Sequence, residues 1–411
     1  MNGFLSRGET ISFVHLNEKP KVTILIVLFN QAGLSLLCMK ALEAIKNVAY
    51  ELIIVDNTST DRVPELLNRI EGARILRNQE NEGFLWAVNQ GAEYAQGEYL
   101  VLLNNDALLF HDTLLNAVAC LDNNASAGAV GGQILLWNGQ VQEAGSIIWK
   151  DDSCHGYGRD DDPDKFEYNF TRPVDYCSGA FLMIRNRLFK ELGGFDTDYS
   201  PAYYEETDFC VRLWKSGYSV IYDPSVRIRH FEFASTGKSV EWALEMQKRN
   251  RTIFVEKHSD FLADQLAPES DNILDARMRL GKGRQRILFI DDRIPHTTLG
   301  SGFPRAQAFI KSIIQSGHFV TFLPLQGSDP EVEIEPDNPL PGSIEVAYGI
   351  GSSKLEEFLL SRRFYYDFIV VSRPHNVEEL NKVFMRHPEL LHNLKIICDA
   401  EAILLTRYFQ G

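Results

Sequence analysis

Three apolar runs, each stopping on polar side chains, restrict this chain to very few folds. Val22-Thr-Ile-Leu-Ile-Val-Leu-Phe29 ends at Asn30, and Glu51-Leu-Ile-Ile-Val55 runs into Asp56-Asn57-Thr58-Ser59-Thr60-Asp61. Leu100-Val-Leu-Leu103 stops on Asn104-Asn105-Asp106. Unbroken apolar runs without alternation are the pattern of strands buried on both faces, as in a parallel sheet. Leu34 to Lys46 carries apolar residues at helical spacing, and Ala73-Arg-Ile-Leu76 reads as a short strand. Asn81-Glu82-Gly83-Phe84 opens a helix with Phe84, Val88, Gly91, Ala92 and Ala95 on one face, which Gly97 ends. The order β-α-β-α-β-α-β predicts an α/β, doubly wound, mostly parallel sheet. Ligands bind outside the carboxyl ends of such strands, so Asn30, Asp56 and Asn104 to Asp106 fall along one functional edge. A single strand ending in Asp usually means an Asx turn or a helix cap. Three polar strand ends together outline a site for a nucleotide diphosphate.

Further motifs follow in order: Cys177-Ser-Gly-Ala180, Gly193-Gly-Phe-Asp196, Tyr204-Glu-Glu-Thr-Asp208, and the stretch from His230 to Ser235. With Asp56 to Asp61, Asn81 to Phe84 and Asn104 to Ala107, they make residues 21 to about 258 resemble the family 2 glycosyltransferases of bacterial polysaccharide synthesis. The resemblance implies the GT-A fold and a nucleotide-diphosphate sugar donor. It places Asp56 on the base, with Asn30, Asn57, Asn81, Gly83 and Asn104 around the nucleotide. Asp106 takes the position of the metal-binding Asp. This chain departs from the fuller D-x-D form, since Asn104 stands at its first position. One carboxylate alone makes a weak site for Mg²⁺ or Mn²⁺, which leans on substrate phosphates and water, so metal binding should be poor without donor.

Glycosyl transfer to a hydroxyl needs a base for the acceptor's proton and a cation for the leaving diphosphate. By resemblance Glu206 is the base, though Glu replaces the more usual Asp there, so Glu205 and Asp208 remain candidates. Acidic residues also favour a helix N-terminus with no catalytic role, and Asp208 could equally brace its loop or Arg212. Ser178, Gly179 and Asp196 lie, by the same resemblance, along the donor-sugar and acceptor cleft. His230 is assigned to the metal or the diphosphate on resemblance, although a single His is more often structural. Lys238 and Arg251 could add positive charge near the phosphates or be solvated surface residues.

A net charge of −15 argues against nucleic acid or anionic membrane surfaces as primary partners. An apolar content of 45% suffices for two cores. The six cysteines, Cys38, Cys120, Cys154, Cys177, Cys210 and Cys398, show no metal spacing and read as reduced thiols. No run is long enough to span a membrane and no signal pattern opens the chain, so a cytoplasmic enzyme is expected. Any membrane link, peripheral at the inner face, would come through a lipid-carried acceptor. The acidic segment Gly156 to Arg172 reads as a surface loop.

The expected division is an N-terminal extension over 1–20, a GT-A domain over 21–260, a linker over 261–283, and a Rossmann-like domain over 284–411. The last opens with Ile287-Leu-Phe-Ile290 and continues through a helix from Ala306 to Ser316 and a strand at Phe319-Val-Thr-Phe-Leu323. Further strands are expected at Phe368-Ile-Val-Val371 and Lys395-Ile-Ile-Cys398, and a helix over Glu401 to Phe409. It resembles the N-terminal half of a GT-B glycosyltransferase, as an acceptor-binding or docking module or as the start of a second enzyme. The loop from Gly300 to Arg305 is only a weak phosphate-loop candidate.

The function expected is inverting, metal-assisted transfer of a dTDP- or UDP-linked sugar to a glycan or lipid-linked glycan. A nucleotidyltransferase would want a basic Gly-rich loop after the first strand, and Phe29-Asn-Gln-Ala-Gly33 has no Lys or Arg. A non-catalytic scaffold that binds nucleotide or glycan is the alternative. A scaffold has no physical need for Asp56, Asp106, Glu206 and His230 together.

Overall fold

The computed structural model describes residues 1–13, 19–232, 240–296, 302–326 and 340–399. Lys238, residues 233–235, the start of the Gly300 loop and the helix expected over 401–409 lie outside them. The chain forms two compact units, one of 1–163 and 172–279, the other of 164–171 and 280–411.

In the first unit, strands β1 (Val22–Leu28), β2 (Tyr50–Asp56), β3 (Arg74–Arg77) and β4 (Tyr99–Asn104) form a parallel sheet. Its order is β3-β2-β1-β4. Helix α1 (Ala32–Ala44) buries Leu36, Met39 and Leu42 in one core with Ile24, Ile26 and Leu28. Helix α2 (Phe84–Ala92) covers the other face, where a Cβ on Gly91 would fall 2.3 Å from a Leu25 methyl. Burial on both faces explains the unbroken apolar runs, and truncating such a leucine to alanine costs about 2–5 kcal/mol.

Helix α2 stops at Ala92, earlier than Gly97 suggested. Gly97 serves a different need: a Cβ there would lie 2.4 Å from the Thr23 amide nitrogen, so backbone passes where no side chain fits.

Beyond β4 the sheet turns mixed. A tight turn at Asn105-Asp106 leads into β5 (Ala107–Leu109), and helix α3 (Thr113–Asp122) precedes β6 (Ala127–Leu135) and β7 (Val141–Ala144). Then come β8 (Arg172–Val174), β9 (Phe181–Arg185), α4 (Glu205–Lys215), β10 (Ser219–His230) and α5 (Val240–Ala263). Strand β9 runs antiparallel to β4 and β6, while β10 pairs parallel with β6 and antiparallel with β5. The β5–β10 pairing sets His230 opposite Ala107, beside the turn that carries Asp106. This is the pairing on which the site depends.

Residues of the expected N-terminal extension and linker pack within this unit. Ile11 and Ser12 pair parallel with Ile70 and Glu71, and Ile11 and Phe13 are buried. At the other end Arg277 and Met278 are buried, and Arg279 donates to Asp175 Oδ1 at 2.6 Å.

The second unit is a parallel five-stranded sheet of order β13-β12-β11-β14-β15. Its elements are β11 (Arg286–Asp291), α6 (Gly302–Gln315), β12 (Phe319–Pro324), β13 (Glu345–Val346), α7 (Leu355–Ser361), β14 (Phe368–Ser372), α8 (Pro374–Arg386) and β15 (Lys395–Asp399). The segment 164–171 belongs to this unit, which corrects the surface-loop expectation. Phe170 is fully buried with its ring 5.5 Å from that of Phe319, and Tyr168 is buried too. The aromatic residues gain more by burial than the neighbouring acids lose by staying at the surface.

Candidate functional site

The ends of β1, β2 and β4 and the start of α4 converge on a cavity of about 780 Å³. Its walls include Phe29, Asn57, Asn81, Gly83, Asn104, Asn105, Ser178, Gly179, Glu205 and Glu206. From the far side Lys248 and Arg251 of α5 join them. Arg251 is ion-paired with Asp152.

The nucleotide candidates divide by what their side chains already hold. Asn57 is buried, and its amide donates to Asn81 Oδ1 at 2.8 Å and to the Gly83 carbonyl at 3.2 Å. Its carbonyl accepts from Asn78 Nδ2 and the Glu82 amide, both at 3.1 Å. All its usual donors and acceptors are engaged, so Asn57 shapes the Asn78–Gly83 loop. Asn81 Oδ1 also accepts from the Gly83 amide at 3.0 Å, turning the chain into α2. Asn30 accepts from the amides of Thr60 and Asp61, and Asp56 accepts from the Ser59 amide at 3.0 Å. Neither Asn30 nor Asp56 lines the cavity wall; they fold the two loops beside it. Phe29, half exposed on that wall, was not picked out from the sequence.

At the end of β4 the cavity-lining Asn104 Nδ2 approaches His230 Nε2 at 3.4 Å. His230 Nε2 lies 3.1 Å from Asp106 Oδ1, and its Nδ1 lies 2.9 Å from Gln142 Oε1. A Gln carbonyl oxygen only accepts, so Nδ1 carries a proton and Nε2 faces the carboxylate. Asp106 is 1% exposed, and its Oδ2 is buried with no hydrogen-bond partner. Leaving a buried carboxylate oxygen unpaired is costly, and a cation would satisfy it. Among the described residues no three His, Cys, Asp or Glu side chains gather as a metal cluster. The donor set fits an ion completed by phosphate and water rather than a self-sufficient cage.

Glu205 and Glu206 open α4 after Tyr203 and Tyr204, both at positive φ. Burial raises the Glu206 carboxyl above its ordinary range, while backbone N–H donors including those of Gly179 and Thr207 pull it partly back. Burial also raises Glu205 well above its range, and the Glu206 charge beside it adds to the shift. Two buried carboxyls side by side thus both resist ionisation. Glu205 Oε2 is buried with no partner.

Asp208 does not reach the cavity. It is 1% exposed, accepts from Arg212 Nε at 2.7 Å and lies 2.8 Å from His258 Nε2. Arg212 also donates to the carbonyls of Leu192 and Gly194, so this group braces the Gly193-Gly194 turn. Asp196 likewise stands off the wall. It accepts from the Asp198 amide and pairs with Lys257, which outweighs burial and holds its carboxyl low. Ser178 and Gly179 are on the wall.

Gln142 and Glu143 of β7 were invisible to sequence reasoning. Glu143 is buried and accepts from the Ser178 amide at 2.9 Å. Burial pushes its carboxyl up to about 7.

Residues 23–193 match the family model for glycosyl transferase family 2. That similarity lies mostly within the first unit. Three relatives each align with about half of the chain. An uncharacterized protein, y4gI, of Sinorhizobium fredii is 26% identical over 198 residues, 46% of this chain and 22% of that protein. An N-acetylglucosaminyl-diphospho-decaprenol L-rhamnosyltransferase of Mycobacterium tuberculosis is 26% identical over 236 residues, 51% of this chain and 75% of that protein. A poly-beta-1,6-N-acetyl-D-glucosamine synthase of Staphylococcus aureus is 24% identical over 214 residues, 51% of this chain and 50% of that protein. The chain thus spans less than a quarter of the first relative and half of the third. The match to the family 2 domain covers Asp56, Asp106 and Glu143 and ends before Glu206 and His230.

Proposed function

We propose that the family 2 domain transfers a sugar, with inversion, from a nucleotide diphosphate to a hydroxyl of a growing glycan or lipid-linked glycan. The observation that carries this is Glu206: a carboxylate at the start of helix α4 on the wall of a cavity of about 780 Å³, raised by burial. Such a group suits a base that must be ionised near neutral pH yet still attract a proton. As the acceptor oxygen attacks the anomeric carbon, Glu206 takes its proton and the bond from that carbon to the diphosphate oxygen breaks. Glu205 Oε2, buried on the same wall with no hydrogen-bond partner, is available to a sugar hydroxyl.

Asp106 Oδ2 and His230 Nε2 would hold a divalent cation, Mg²⁺ or Mn²⁺. When bound, that ion offsets the charge of the leaving diphosphate. Phe29 on the wall is available to stack on the base, with Asp56 and Asn30 holding the loops beside it, and Ser178 and Gly179 would lie along the sugar. Two relatives are named for rhamnosyl transfer to a diphospho-decaprenol-linked sugar and for poly-N-acetylglucosamine synthesis, which supports a glycan or lipid-linked glycan acceptor; the donor proposed is dTDP- or UDP-linked. A lipid-linked acceptor would bring the protein to the inner face of the membrane. Among the described residues no helix is long and apolar enough to cross one. The second unit is proposed as an acceptor-binding or docking module or as the start of a second enzyme.

The test is thermal-shift binding of UDP, dTDP and GDP, each with and without Mn²⁺, on the wild type and Glu206→Gln. A bound ligand raises the midpoint with its occupancy. One nucleotide should raise it in a metal-dependent way in both proteins, while Glu206→Gln loses transfer by about 10²–10⁴-fold. If no nucleotide binds, the scaffold reading replaces this one; unchanged turnover in the variant removes Glu206 from the mechanism.

A further inference from the structure

Strand β7 is short, carries no recognisable motif, and yet holds two polar residues in the core of the catalytic unit. Gln142 orients His230, as described above. Glu143, paired with Ile134 of β6, points its Oε1 at the Ser178 amide at 2.9 Å. Ser178 starts a short turn whose three members each do something different. Its own hydroxyl accepts from the Ala180 amide at 3.2 Å, closing the turn. Gly179 packs beside Glu206, where a Cβ built on it would stand 3.9 Å from the Glu206 side chain. The Ala180 carbonyl accepts from the Asn104 amide at 3.2 Å, where the metal-side strand ends. The chain just before the turn is tied to the end of β7's hairpin by the Ser146 amide donating to the Tyr176 carbonyl at 3.0 Å. This one turn therefore touches both Glu206 and the strand that leads to Asp106.

We propose that Glu143 is a positioning residue for the base, fixing the Ser178–Ala180 turn so that Gly179 stays packed against Glu206. The inference rests on the glycosyl-transfer reading for its consequence, though not for the geometry. Glu143 is absent from the cavity wall, so it touches no substrate and acts only through the turn. What it supplies is an acceptor oxygen inside the fold. Removing that oxygen leaves the Ser178 N–H without its partner, and the turn gains freedom to move. Gly179 lies in van der Waals range of Glu206, where an added Cβ would come within 3.9 Å of the carboxylate carbon, so movement of the turn is felt at once by the base. A shift of about 1 Å in such a group can cost on the order of 10²-fold in rate.

The experiment compares Glu143→Ala and Glu143→Gln with the wild type by amide hydrogen exchange, by nucleotide binding and by turnover. Glutamine keeps an acceptor oxygen at the same place, whereas alanine does not. Glu143→Ala should speed exchange at the Ser178 and Gly179 amides and lower kcat by about 10–100-fold. Nucleotide affinity should stay within about twofold, and Glu143→Gln should recover most of kcat and of the exchange protection. A general packing defect would instead weaken nucleotide binding together with kcat, and that result overturns the proposal. So does unchanged exchange at Ser178 and Gly179, or a glutamine variant as impaired as the alanine one. Should the wild type transfer no sugar from any donor, the proposed reaction fails, while the exchange measurements still decide whether Glu143 holds the turn.

Discussion

Asp208 is the acid whose role the sequence left open between catalysis and bracing, and its replacement by alanine separates the two. Its carboxylate is 1% exposed and fully engaged by Arg212 at 2.7 Å and His258 at 2.8 Å. Removing one partner of a buried ion pair costs about 3–5 kcal/mol, because the other partner stays desolvated and unpaired. Arg212 keeps its bonds to the Leu192 and Gly194 carbonyls and is 22% exposed, so water recovers part of that loss. The lower end, about 3 kcal/mol, is the value expected. In a unit of this size each kcal/mol moves the midpoint by about 2–4 °C, so Asp208→Ala should lower Tm by roughly 6–12 °C. Calorimetry reads that shift, and transfer is assayed well below both midpoints. The brace predicts a large fall in Tm with turnover reduced by about tenfold or less. A midpoint within 2 °C of wild type together with abolished turnover would refute the reasoning and put Asp208 on the substrate.

Two other outcomes follow from the site. Asp106→Ala should weaken nucleotide binding in the presence of Mn²⁺ by about tenfold or more and leave metal-free binding unchanged; equal thermal shifts with and without Mn²⁺ in the wild type would remove Asp106 from any metal role. Because burial lifts the Glu143 carboxyl from near 4.5 to about 7, the folded state holds a proton that the unfolded chain has released, so its stabilising contribution is complete below about pH 4.5 and is lost as pH rises towards 7. Urea midpoints of Glu143→Gln should fall less steeply than those of the wild type between pH 5 and 7, and parallel slopes would contradict the burial argument.

How much of this was legible depended on the range of the interaction. The parallel half of the sheet could be read because each strand is buried on both faces and must be apolar throughout. The bond from Asp208 to Arg212 was legible as well, since i and i+4 share a helix face. Its second partner, His258, comes from another helix and leaves no local trace. Asp106 and His230 stand 124 residues apart and meet only because β5 pairs with β10 in one register. Resemblance could name both, but no periodicity could join them. Glu143 shows the sharper limit. Val141-Gln-Glu-Ala144 looks like a solvated edge, yet all four residues are buried. A buried acid is recognisable only by what surrounds it. In the segment 164–171, the acids just before it drew the eye from Phe166, Tyr168 and Phe170, whose spacing of two was the better sign.

The loop before Glu205 departs furthest from anything local chemistry would choose. Tyr203 and Tyr204 take φ of 77° and 74°, a region that bulky residues avoid at a cost on the order of 1–3 kcal/mol each. Tyrosine has no short polar side chain to make that conformation easy, so the cause must lie elsewhere in the fold. Asn250, fully buried on α5, supplies one: its Nδ2 is 2.7 Å from the Tyr199 carbonyl, 2.8 Å from that of Ala202 and 2.9 Å from that of Tyr203. The Tyr204 hydroxyl adds a tether by donating to the Asp152 carbonyl at 3.2 Å. Helix α5 thus helps hold a backbone that the residues themselves disfavour, and the next two residues of that backbone are Glu205 and Glu206. Strain at this point is compensated by distant contacts and delivers both carboxyl groups to the cavity wall, which is why the motif's location was readable in the sequence and its geometry was not.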